Sequence, residues 1–91
     1  MPVTYHLRIS GRVQGVGFRQ YMAYKARELG VAGWVRNRRD GSVEAMAHGP
    51  HAAIESLLEC ARRGPRSALV TDVQVTDGEG TYSTFETLPT E

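Results

Sequence analysis

With 91 residues the chain has room for one compact core and not for two, so a single domain over residues 1–91 is expected. Its 41% hydrophobic and 23% charged residues are ordinary for a globular protein, and a net charge of +1 argues against broad electrostatic attraction to nucleic acid or to an anionic membrane. One cysteine, Cys60, rules out an internal disulfide, and no apolar run resembles a signal peptide or approaches the ~20 residues of a membrane span, so a soluble cytoplasmic protein is expected.

In "TYHLRIS" Tyr5, Leu7 and Ile9 alternate with His6, Arg8 and Ser10, the period of a half-buried strand. The stretch "GRVQGVGFRQ" follows, with Gly11, Gly15 and Gly17 within seven positions. From Phe18 the period changes. Phe18, Met22, Ala26 and Leu29 form one helical stripe, and Gly30 suits the helix end. "VAGWVRN", "RRDG" and "SVEAMAH" read as a hairpin, with Asp40-Gly41 as the turn signal and Val43, Ala45 and Ala47 on one face. "GPHAAIESLLECARRG" reads as a second helix, with Pro50 in its first turn, an apolar stripe of Ile54, Leu57, Leu58 and Ala61, and a stop at Gly64-Pro65. In "SALVTDVQVTD" Val73 and Val75 are in phase and Val70 is not, which predicts a bulge or a late strand start. "YSTFETL" carries a weak pattern for a short final strand. The order is β-α-β-β-α-β with a possible fifth strand. That predicts an α+β, ferredoxin-like sandwich: an antiparallel sheet with two helices on one face. Many functions share this fold, so the fold alone decides none of them.

The glycine loop joins a strand end to a helix start. A helix start leaves backbone N–H groups unpaired and carries roughly half a positive charge from the aligned peptide dipoles. Glycines let successive N–H groups converge on one point, a concavity suited to a phosphate-like anion. Arg19, at the mouth of the helix, adds a planar and permanently charged fork. By itself the loop reads equally well as a flexible connection with a helix cap. No Gly-Lys-Ser/Thr follows, and the spacing is not the dinucleotide fingerprint, so a small phosphorylated molecule fits better than a nucleotide. Asn37, at the end of the second predicted strand, reads either as a turn initiator or as an amide that positions a polar ligand atom or a water.

"GRVQGVGFR" followed by "GWVRNRRDGSVE" resembles the acylphosphatase family, and the resemblance extends over nearly the whole chain. It implies hydrolysis of the carboxyl–phosphate bond of acyl phosphates, without a metal or other cofactor. It implies a phosphoryl site made by the loop amides of Gln14, Gly15, Val16, Gly17, Phe18 and Arg19 with the Arg19 guanidinium, and an attacking water oriented by Asn37. The expected ligands are a small acyl phosphate as substrate and inorganic phosphate as product and inhibitor. No nucleic acid or membrane partner is expected, and the chain is expected to act as a monomer. Two positions depart from the family pattern: Gln20, where many members carry an aromatic residue, and Thr87, where an aliphatic residue usually packs beside Phe85. Both are read as affecting the packing of the last strand rather than the anion site.

His6, His48 and His51 show no metal-ligand spacing and read as exposed or capping residues, and Cys60 as a packing residue. Tyr5 reads as core, and Trp34 as lying on the sheet face the helices leave open. Tyr21 and Tyr24 are further candidates for a pocket wall. Arg36, Arg38 and Arg39 read as a solvated turn or, more sharply, as a patch that steers an anionic substrate. Two other functions fit the fold. An RNA-binding module would need the aromatic sheet motif that this sequence lacks. A regulatory phosphate-binding domain would bind without turnover.

Overall fold

The computed structural model describes residues 1–91. The elements are β1 (Pro2–Arg12), α1 (Phe18–Leu29), β2 (Ala32–Asn37), β3 (Val43–Pro50), α2 (His51–Arg63), β4 (Leu69–Asp77) and β5 (Phe85–Thr87). The sheet order is β4-β1-β3-β2-β5. Strands β1 to β4 pair antiparallel, as expected, whereas β5 runs parallel to β2 and makes the sheet mixed. Between β4 and β5, Gly78 N–H donates to the Thr4 carbonyl at 2.9 Å and Tyr82 lies edge-on to His48 of β3.

Both helices cover one face, α1 over β2 and β5, and α2 over β1, β3 and β4. The residues that alternate toward them form the core: Leu7 and Ile9 of β1, Val35 of β2, and Val43, Ala45 and Ala47 of β3 are all fully buried. Two of the buried side chains of β3, the strand paired between β1 and β2, are alanines, Ala45 and Ala47. Phe18, Met22, Ala23 and Ala26 of α1 and Ile54, Leu57, Leu58 and Ala61 of α2 close the core from above. Between the helices, Tyr21 Oη donates to the Cys60 carbonyl at 2.8 Å. Tyr21 is therefore an interhelical tie rather than a pocket wall, and burial, with Cys60 beside it, raises its pKa above 10.0. No helix is long and apolar enough to cross a membrane.

Helix ends follow the sequence with one shift. Val31 N–H donates to the Ala26 carbonyl at 2.8 Å and Gly30 closes α1 in the left-handed conformation, a Schellman-type stop. Pro50 ends β3 with extended backbone (φ −59°, ψ 142°) and acts as the N-cap of α2 instead of lying in its first turn. The expected bulge is present. Ser10 pairs with Asp72 and Gly11 with Val70, so Thr71 is the extra residue on β4.

That bulge also explains one of the three glycines. Gly11 lies within β1, not in the loop. A Cβ there would run into the Leu69 carbonyl oxygen and come within 2.8 Å of the Thr71 nitrogen, so the close approach of β4 admits only glycine.

Candidate active site

Gly15 and Gly17 have φ of 74° and 77°, with Val16 between them at negative φ. A Cβ on Gly15 would meet nothing within 4 Å. Conformation, not space, demands glycine here. Alternating signs of φ turn successive N–H groups toward one side, the geometry of an anion nest. Gly17 is also the N-cap residue of α1, with no side-chain cap and no acidic residue in the first turn to satisfy the helix start. As a result no backbone N–H from Gln14 to Gln20 donates to a protein acceptor.

Of these residues Gly15, Gly17, Phe18, Arg19 and Gln20 border a cleft of ≈ 350 Å³ between the loop and the end of β2. Gly15, Gly17, Phe18 and Arg19 line one side, and Asn37 lines it from β2. Val13 and Phe18 form its floor and belong to the core, being 1% and 2% exposed. Arg19 Nη1 donates to the Leu88 carbonyl at 3.3 Å, so the segment after β5 anchors the guanidinium at the cleft. The same segment holds Asn37 from the backbone: Leu88 N–H donates to the Val35 carbonyl at 2.9 Å and Glu91 N–H to the Asn37 carbonyl at 3.0 Å. The side-chain amide of Asn37 makes no hydrogen bond within the protein.

Of the residues expected at a phosphoryl site, the structure gathers Gly15, Gly17, Phe18, Arg19 and Asn37 around one cleft, whereas Gln14 and Val16 do not line it. Val16 packs against the core. The Gln14 side chain reaches the hairpin instead: Nε2 donates to the carbonyls of Arg38 at 2.7 Å and Ser42 at 2.9 Å. It ties the loop to the residue that follows Asn37. Gln20 and Thr87 also line the cleft, which corrects their placement as last-strand packing positions. A larger depression of ≈ 480 Å³ lies beside Arg27, Thr84 and Glu86, away from the loop and Asn37. Its arginine already donates to the Phe85 carbonyl at 2.9 Å.

The hairpin is braced from the open face of the sheet. Ser42 donates to Asp40 Oδ1 from Oγ at 2.6 Å and from its N–H at 2.9 Å. These bonds, with Arg8 nearby, hold the Asp40 carboxyl below its ordinary value of 3.8. Glu44, 8% exposed, accepts from His6 Nε2 at 2.5 Å and from Arg36 Nε at 2.8 Å, with Arg38 Nη1 at 3.5 Å. Burial pushes its carboxyl up, but the His6 and Arg36 bonds outweigh burial and hold it below 4.5. Arg36 also reaches Glu91 at 3.3 Å and lies 4.8 Å from the centroid of Trp34, which is on the open face as expected. Arg36 and Arg38 are thus paired, and only Arg39 remains as an exposed turn cation.

The family model described as Acylphosphatase matches residues 5–87. The chain belongs to the acylphosphatase family. It is 54% identical over 77 residues to the acylphosphatase of Acidiphilium cryptum, covering 85% of each chain. It is 53% identical over 83 residues to that of Thiobacillus denitrificans, covering 91% of this chain and 93% of the relative. The crystal structure of the acylphosphatase from Bacillus subtilis matches with a TM-score of 0.90 at 39% identity, covering 97% of this chain and 99% of that one.

Proposed function

We propose that the chain hydrolyses acyl phosphates by gripping the phosphoryl group in the amides of residues 14–19 and the Arg19 guanidinium, while Asn37 aims the attacking water. The observation that carries this is that Gly15, Gly17, Phe18 and Arg19, whose N–H donors are unspent, border a cleft that also holds a guanidinium and an unpaired amide. An acyl phosphate is a mixed anhydride whose leaving carboxylate has a conjugate acid of pKa about 4–5. It departs without prior protonation, so a general acid and a metal at the leaving oxygen are both dispensable. What remains to be supplied is positioning, and stabilisation of charge on the transferring phosphoryl oxygens. The amides and Arg19 supply the charge stabilisation. The Asn37 side chain supplies the aim, accepting from the water through Oδ1 or donating to it through Nδ2. No histidine, cysteine or carboxylate lines the cleft. A phosphoryl oxygen of the bound substrate therefore takes the water's proton. Inorganic phosphate, the product, occupies the same donors and inhibits competitively.

The test is turnover of benzoyl phosphate with and without a chelator. Activity is expected to survive chelation. Arg19→Ala and Asn37→Ala are each expected to lower kcat by at least about 100-fold, comparable to losing one oxyanion donor or more. Arg19→Ala should also raise the Ki of inorganic phosphate, and Asn37→Ala should leave it nearly unchanged. Equal loss of phosphate affinity in both variants would refute the division of roles.

A further inference from the structure

We propose that Gln20 and Thr87 form the acyl end of the site and favour short acyl phosphates that carry a hydrogen-bonding group, such as a hydroxyl, beside the carbonyl. This rests on the assignment of the phosphoryl group to the 14–19 loop. With that group seated on the amides, the acyl portion must leave along the remaining walls of the cleft. The cleft's apolar side chains, Val13 and Phe18, are 1% and 2% exposed and offer a ligand almost no apolar surface. An aryl or alkyl group there gains almost nothing from those two side chains. Gln20 and Thr87 are the other walls, both exposed, and neither side chain makes a hydrogen bond within the protein. Their placement follows from the elements that hold Arg19. Gln20 is the next residue of α1, with Oε1 4.0 Å from where a Cβ on Gly17 would stand. Thr87 pairs with Val35 and immediately precedes Leu88, whose carbonyl receives Arg19 Nη1. The two polar side chains therefore flank the guanidinium from its two anchoring elements. A wall that hydrogen-bonds a substrate hydroxyl discriminates against the analogue in which a methyl replaces it.

Glycoloyl phosphate and propionyl phosphate differ by that one replacement. The quantity to measure is the ratio of their kcat/KM values in the wild type and in the Gln20→Leu/Thr87→Val double variant, so that their different intrinsic reactivities cancel. The ratio is expected to fall about fivefold to tenfold in the double variant, roughly the worth of one neutral hydrogen bond. Each single variant should move it part of the way, and the KM for benzoyl phosphate should fall severalfold in the double variant. Both positions are exposed, so an unchanged Tm is expected. An unchanged ratio beside intact competitive inhibition by inorganic phosphate overturns the acyl site alone. Turnover of both substrates with no phosphate inhibition in the wild type overturns the phosphoryl site, and the acyl site with it.

Discussion

Gln14 shows how one side chain sets the distance between two parts of a site. Its amide donates both hydrogens to the hairpin, at Arg38 and Ser42, while its neighbour Gly15 begins the nest. Gln14→Leu keeps the bulk and removes both bonds. The two carbonyls retain other donors, from Gly41 N–H at 3.1 Å and Arg38 N–H at 2.8 Å, so the stability loss is expected to be only about 1–2 kcal/mol. Catalysis is more sensitive, because a displacement of about 1 Å between reacting groups costs up to about 100-fold. The expected outcome is a kcat at least about tenfold lower, with the Ki of inorganic phosphate within about twofold, measured well below the variant's Tm. A stability loss with kcat unchanged would make Gln14 a structural residue only. Sequence alone marks Gln14 as a loop amide, because nothing local indicates that its side chain spans to residues 24 and 28 positions away.

At the scale of elements, what was legible depended on the range of the signal. The stripes of α1 and α2 and the alternation of β1 and β3 are short-period patterns, and the buried residues follow them closely. The bulge at Thr71 was legible because Val70 falls out of phase with Val73 and Val75. The direction of β5 was not. Three residues, Phe85–Thr87, carry no pairing code, and their partner is fixed by contacts from elsewhere, such as Gly33 N–H donating to the Thr84 carbonyl at 2.9 Å. Gly11 reads as a loop residue for the same reason, since its constraint is β4, some sixty residues later. The loop and Asn37 were legible as motifs, whereas the anchor at Leu88 rests on a backbone carbonyl, for which no residue type is diagnostic. The tie between the helices is also long-range. Tyr21→Phe removes one hydroxyl bond to the Cys60 carbonyl and keeps the ring, so a loss of about 1 kcal/mol is expected. For a domain of this size that is roughly 4–8 °C in Tm, read by thermal denaturation, with kcat unaffected. A Tm equal to the wild type's would mean that water replaces the Tyr21 hydroxyl as donor to the Cys60 carbonyl at no net cost.

Across the whole molecule, the helices close one face of the sheet and a charge network braces the other. His6 on β1, Glu44 on β3, Arg36 on β2, Arg38 in the hairpin and Glu91 after β5 meet on the open face, beneath the hairpin that carries Asn37. Glu44 is the hub, and its pKa in the folded chain lies below the ordinary 4.5. The sign of the pH dependence follows. Above pH 4.5 the carboxylate is ionised in both folded and unfolded chains, and its pairing contributes in full. As pH falls below that value the unfolded chain takes up a proton first, so the contribution shrinks, and it is gone once pH is below the folded value as well. Glu44→Gln cannot titrate and leaves the cations around it without a carboxylate, a loss of about 1–3 kcal/mol at neutral pH. Urea denaturation of both proteins at pH 7 and again near pH 3 isolates this residue, because Asp40 and the other carboxylates are common to both and cancel in the difference. The stability gap between wild type and variant is expected to be largest at pH 7 and to narrow markedly in acid. A gap of equal size at both pH values would mean that Glu44 acts through packing and neutral hydrogen bonds, and that the open face is not held by charge.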